Sequence, residues 1–182
     1  MASSDEEFVE FAVAVSPRLR RTAFLLCGDW HTAQDLTQAT LAKVFVAWRR
    51  ISRRDAAQAY AMRTLLNTFL ADGRRRRPGE VLTADLPDRA ADLPATELRL
   101  AVLEALATLP PSSRAVVVLR YWTDMSIQQT AALLGCSEGN VKSQSARALD
   151  KLRLILGDVV TDQELAARPP AGPSGTGGAG HG

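Results

Sequence analysis

Apolar residues fall at helical spacing along most of the chain, and the clearest pattern lies in 126–152, SIQQTAALLGCSEGNVKSQSARALDKL. Ile127, Ala131 and Leu134 share one face of a short helix. Ser126 can accept the amides of its first turn, with Gln129 reaching back to complete a capping box. Gly135 stands where the helix must end left-handed, at no steric cost to glycine. Ser137 caps a second helix, whose buried stripe is Val141, Ser145, Ala148, Leu149 and Leu152. At roughly 100° per residue, Ser143 and Arg147 point away from that stripe, flanked by Asn140, Lys142, Gln144 and Ala146. Ala131 must be small where the two helices cross, and Val141 anchors the second on the core. The pattern predicts a helix-turn-helix, and short polar or cationic side chains on its outer face suit a DNA major groove.

The same periodicity predicts three helices in the N-terminal part of the chain. The first runs from about Glu6 to Leu26 on Phe8, Phe11, Val15, Leu19 and Leu26, with Pro17 interrupting it or marking a boundary. Gly28-Asp29 is a turn, and Asp29 can cap a second helix over about Trp30–Arg50. Leu36, Thr40, Val44, Ala47, Trp48 and Ile51 supply that helix's inner face, widened by Leu41 and Phe45. Its outer face carries Gln34, Asp35, Gln38, Ala42 and Arg49, which on spacing alone is an ordinary solvated surface. A third helix, about Ala56–Arg77, has the stripe Ala59, Met62, Leu65, Leu66, Phe69 and Leu70. Gly73 weakens it by about 1 kcal/mol, so it is expected to fray or turn before Arg74, Arg75, Arg76 and Arg77. Asn67 lies among apolar neighbours, where a local cap or a core hydrogen bond would satisfy it.

Pro78 to Pro94, with three prolines and little periodicity, predicts an extended linker. Beyond it Leu98, Val102, Ala105, Leu106 and Leu109 follow helical spacing until Pro110-Pro111. Ser112 can cap the next helix, RAVVVLRYW. The Gly- and Pro-rich end of the chain cannot bury enough surface to fold.

Few aromatics, abundant Ala and Leu, and rare β-branched runs make the chain all-α, and 182 residues leave room for one domain or two small ones with separate cores. The formal charge of +2 hides a partition. Residues 49–77 carry nine basic and two acidic side chains, residues 78–98 one and five, and residues 99–157 seven and four. Two basic blocks around an acidic connector suggest two contacts with a polyanion. Cys27 and Cys136 lack any Cys-x-x-Cys or Cys/His neighbourhood and read as small buried residues rather than metal ligands or a disulfide. His31 and His181 have no spaced carboxylate or nucleophile. Neither a P-loop nor a metal motif occurs, so no cofactor is expected and an enzyme is disfavoured. The acidic start, MASSDEEF, and the lack of a membrane-length apolar run predict a cytoplasmic protein.

Three stretches together resemble a known family. TAQDLTQATLAKVFVAW resembles the polymerase-binding helix of bacterial sigma factors, and AYAMRTLLNTFLADGRRRR the adjoining promoter-melting region. LEALATLPPSSRAVVVLRYWTDMSIQQTAALLGCSEGNVKSQSARALDKLR is similar to their fourth conserved region. The absence of other conserved regions points to the extracytoplasmic-function group, and LRYWTDMS with VKSQSARAL to its sigma-E-like subfamily. The resemblance implies two small helical domains joined by a flexible linker: a region 2 bundle over 6–77, a linker over 78–95, a region 4 bundle over 96–157, and a disordered tail over 158–182. It implies core RNA polymerase (β′ clamp and β flap) and promoter DNA as partners, and leaves open an anti-sigma factor. Asp35 and Gln38 match clamp-docking positions, which replaces the solvated-face reading. Asn67 matches the position beside a flipped minus-10 base, and Arg74–Arg77 belong to that element. Asn140, Lys142, Ser143, Gln144, Ala146 and Arg147 form the minus-35 face. Ala39 stands where the family commonly has Glu, which bears on clamp affinity alone; Gln144 stands where it commonly has Arg, which implies fewer phosphate contacts or a different base preference, so no promoter consensus can be transferred. The competing reading is a stand-alone helix-turn-helix regulator with an N-terminal sensing or dimerisation domain.

Overall fold

A computed structural model describes the backbone of residues 4–51, 54–75 and 97–166, and side chains over 4–51, 56–73 and 100–157. All the regular structure among these residues is helical. Three long helices form the first domain: α1 (Ser4–Cys27), α2 (Trp30–Ala47, continued by a 3-10 turn Trp48–Arg50) and α3 (Arg54–Arg75). The second domain holds α4 (Glu97–Ala107), α5 (Pro111–Val117), a π-helical turn over Val118–Trp122, α6 (Ile127–Leu134) and α7 (Glu138–Ala166). The acidic connector, Arg76 and Arg77, and the chain beyond Ala166 lie outside the described residues.

Several boundaries differ from expectation for identifiable reasons. Helix α1 runs unbroken through Pro17. Proline there removes one donor, the amide that would have met the Val13 carbonyl, and tertiary packing of Phe11, Val15 and Leu19 holds the helix across that gap. Helix α3 likewise continues through Gly73 to Arg75 instead of turning. Helix α5 begins at Pro111, with Pro110 as the capping residue and no side-chain cap, so the Ser112 cap is incorrect. Proline at the first helical position lacks an amide that would have gone unbonded anyway. Helix α7 extends to Ala166, past position 158 where a tail was expected.

The predicted caps elsewhere are present. The Asp29 carboxylate accepts from the Thr32 amide at 2.6 Å and starts α2. Burial pushes its carboxyl up, but hydrogen bonds from Thr32 and the nearby His31 outweigh this and hold it below the usual value. Its contribution to stability is therefore present above the ordinary carboxylate range and fades as pH falls through the lowered value.

The core of the first domain is Phe11, Val15, Leu19 and Leu26 of α1, Leu36 and Val44 of α2, and Met62, Leu65, Leu66 and Phe69 of α3. Ala57 and Ala61 are buried on α3 where Ala59 was expected. Phe45 does not widen the inner face of α2. It is 48% exposed, with its ring tilted against that of Phe8 at 4.9 Å between centroids. The cores of the two domains are not separate. One apolar cluster continues from Leu26 and Leu66 to Leu106, Leu109, Val117 and Leu119. A second, small cluster of Val116, Ala131 and Val141 holds the helix-turn-helix together. Cys27 is buried, Cys136 is half-buried and neither forms a disulfide.

Candidate nucleic-acid interface

The helix-turn-helix is built by three local devices that the chain encodes side by side. The Ser126 hydroxyl accepts from the Gln129 amide at 3.1 Å, while the Gln129 side chain accepts from the Ser126 amide at 2.8 Å. Gly135 ends α6 at φ 65°, ψ 37°, a left-handed conformation that strains any residue with a Cβ. Ser137 accepts from the Asn140 amide at 3.1 Å and starts α7. A fourth device was not read from the sequence. The π-helical turn delivers the chain to Asp124, which is left-handed at φ 52°, and the Arg120 guanidinium donates to the Met125 carbonyl just before α6. Asp tolerates this conformation better than most residues.

These restraints fix one face of α7 inward and another outward. Val141, Ser145, Ala148 and Leu152 are buried, and Leu149 is half-buried. Asn140, Lys142, Ser143, Ala146 and Arg147 are exposed. Gln144 is half-buried instead, its amide donating to the Asn140 Oδ1 at 2.9 Å. The Arg147 Nε donates to the Ser143 carbonyl at 3.2 Å, which leaves its other donors for a partner. The Lys151 ammonium donates to the Thr108 carbonyl at 2.7 Å and ties α7 to the end of α4. The outer face thus carries two long cations, Lys142 and Arg147, among the shorter Asn140, Ser143 and Ala146.

In the first domain a hollow of about 380 Å³ lies between α2 and α3, lined by Lys43, Thr64, Asn67, Thr68, Ala71 and Asp72. Asn67 is exposed within it, so the expected core hydrogen bond is incorrect: at this point of α3 the buried stripe is carried by Leu65, Leu66 and Phe69. Lys43 was missed by sequence reasoning. It reaches from α2 to donate to the Thr68 hydroxyl at 2.8 Å, which in turn donates to the Thr64 carbonyl. The signal was available only in combination, since Lys43 is a single cation on a helix whose pairing with α3 is tertiary. Arg74 and Arg75 lie on the last turn of α3, and their side chains are outside the described residues.

Asp35, Gln38 and Ala42 are exposed along one stripe of α2, and Phe45 continues it one turn further. Among the described residues no group of three or more metal-ligating side chains converges, and no helix is long and apolar enough to cross a membrane.

Comparison with known proteins places these surfaces in a family. Residues 12–78 match the Sigma-70 region 2 family and residues 99–152 the Sigma-70 region 4 family. The RNA polymerase sigma-E factor of Streptomyces coelicolor is 41% identical over 165 residues, covering 89% of this chain and 88% of that protein. The extracytoplasmic-function RNA polymerase sigma factor SigM of Mycobacterium tuberculosis is 41% identical over 143 residues, covering 77% and 72%. Among solved structures, the sigma factor RpoE in complex with the anti-sigma factor NepR from Bartonella quintana shares the fold at a TM-score of 0.66 and 24% identity, over 83% of this chain and 97% of that one. A helical chain matched over most of its length by such relatives is a member of the extracytoplasmic-function RNA polymerase sigma factors, of the sigma-E-like kind.

Proposed function

We propose that the chain directs core RNA polymerase to promoters through three surfaces with separate tasks. The observation that carries this reading is the face of α7: five exposed polar, small or cationic residues opposite an anchored, buried stripe. That face reads the minus-35 duplex, with Arg147 and Lys142 as its cations. The hollow beside Asn67 takes an unstacked base of the minus-10 element, and Arg74–Arg77 hold the neighbouring strand. Asp35 and Gln38, with Phe45 beside them, dock on the polymerase β′ clamp, and the second domain meets the β flap. Capturing an unstacked base offsets a few kcal/mol of unpairing, so opening needs no hydrolysis and the chain is a non-enzymatic factor acting in the cytoplasm. Two weak DNA contacts held on one polymerase make the second contact intramolecular, which raises avidity without further contact area. Because the Bartonella relative is held by an anti-sigma factor, a regulator of the same class is proposed here.

Docking is tested by the double variant Asp35→Ala/Gln38→Ala. Both side chains are exposed, so the fold and its melting temperature should be unchanged while affinity for a β′ clamp fragment falls about tenfold or more. Unchanged affinity would assign the clamp contact elsewhere. A second prediction follows from Lys43, whose ammonium faces the hollow. Lys43→Ala should flatten the salt dependence of binding to a forked minus-10 template by about 0.7 in log–log slope, the value for one lost phosphate contact on a single strand. An unaltered slope would remove Lys43 from the strand path.

A further inference from the structure

Of the residues proposed for the outer face of α7, Gln144 alone is half-buried. It lies where α5 packs on α7, and both ends of its amide are engaged within the protein. The Ser113 hydroxyl of α5 donates to the Gln144 Oε1 at 3.5 Å, and the Gln144 Nε2 donates to the Asn140 Oδ1 at 2.9 Å. The second contact is the shorter and the stronger. Residues 140 and 144 stand one helical turn apart, the spacing at which such side chains pair along a helix surface. A side chain held at both ends does not reach out to a phosphate. Its effect on DNA must pass through Asn140.

Asn140 is exposed in the first turn of α7, where the Ser137 hydroxyl accepts from its backbone amide. The N-terminal residues of a recognition helix are the ones that meet base edges. A free asparagine is an ambiguous reader, because flipping its amide exchanges donors for an acceptor. Here the ambiguity is removed. The Gln144 donor is met by the Asn140 oxygen, so Oδ1 is turned back along α7, and Nδ2, which has no partner among the described residues, is left for the groove. Bidentate pairing of asparagine with adenine uses both amide ends, at N6 and N7. With the oxygen held back, that pairing is lost, and an outward Nδ2 meets the adenine amino group donor against donor. Guanine instead presents two acceptors on its major-groove edge, N7 and O6. We propose that Gln144 is a positioning residue, which touches no DNA itself but fixes the Asn140 amide with its donors outward, so that Asn140 selects guanine over adenine in the upstream element. This rests on the minus-35 reading of α7 given above.

Selection by the holoenzyme tests this. Core RNA polymerase carrying the chain is offered a promoter pool that is already open downstream and randomised over the upstream duplex. The bound DNA is sequenced for the parent, Asn140→Ala, Gln144→Ala and Gln144→Glu. Asn140→Ala should erase the preference at a single position and so locate the base pair that Asn140 reads. There the parent should favour guanine over adenine by about fivefold or more, the lower end for a direct base contact. Gln144→Ala frees the amide to flip and restores the adenine pairing, so the ratio should fall to within about twofold of unity while other positions keep theirs. Gln144→Glu offers an acceptor where glutamine offers a donor. It should draw Nδ2 inward, turn Oδ1 to the groove and move the preference to bases that present an amino group there, adenine or cytosine. A residue that merely supported the fold would weaken binding to every sequence alike and move no ratio. Guanine retained in both Gln144 variants would overturn the proposal, as would an Asn140→Ala selection identical to the parent's. If the parent enriched no upstream sequence at all, the minus-35 reading would fail and the proposal with it. Enrichment that is indifferent to Gln144 would sink the proposal alone.

Discussion

Arg147→Ala is expected to weaken binding at a minus-35 duplex by about 1–3 kcal/mol, roughly 5- to 150-fold, while leaving binding to pre-opened DNA that lacks this element nearly unchanged. Arg147 is exposed one turn beyond Ser143, and its helix is anchored by Val141, Ala148 and Leu152, so truncation removes the proposed groove contact without disturbing the core. Asn67→Ala should do the opposite. It lies in the hollow between α2 and α3, remote in function from the duplex reader, and its loss should spare closed-complex binding but depress opening. A pre-melted bubble should then rescue it, because the unpairing cost has already been met. Permanganate reactivity of unpaired thymines on duplex and bubble templates separates the two. Equal losses for both variants on both templates would contradict the division of labour.

The largest effect on stability is expected at Leu65. Its side chain is fully buried in α3, between Thr64 and Asn67, which both line the hollow. Leu65→Ala removes buried methyl groups and leaves a cavity, costing about 2–5 kcal/mol. In a helical domain of this size that corresponds to a fall in melting temperature of roughly 10 °C or more. Since α3 carries Asn67, the variant should also open promoters poorly at temperatures where its upstream contact still forms. A melting temperature within about 2 °C of the parent would show that α3 is not held through this stripe.

Local chemistry was the part of the fold legible in advance. The Ser126–Gln129 box, the left-handed Gly135 and the Ser137 cap each depend on neighbours within four residues, and all three are found as expected. The buried and outer faces of α7 follow from the same short-range periodicity. What escaped was tertiary. Pro17 and Gly73 are both helix-weakening in isolation, yet both sit inside continuous helices, because packing on other helices outweighs a local deficit of about 1–3 kcal/mol. No local rule could show that Gly73 faces Pro111, or that Arg114 bridges the ends of α1 and α4. Asn67 was misplaced for the same reason: its apolar neighbours in sequence point inward while it points into a hollow made with α2. Phe45 was expected on the inner face of α2 but lies on its outer stripe, with its ring against Phe8. The proposal of Asp35 and Gln38 as a docking pair rests on family resemblance, since exposed polar residues at i and i+3 carry no distinguishing physical signal of their own.

As a sigma factor, this chain gives core RNA polymerase its promoter choice. Run-off transcription over a genomic promoter pool, with core polymerase alone and with the chain added, tests it most directly. Transcripts that appear only with the chain, and whose upstream sequences share two elements at a constant spacing, are the predicted result. Unchanged transcription, together with a dimer of the chain binding a palindrome in the absence of polymerase, would contradict it and favour a stand-alone helix-turn-helix regulator.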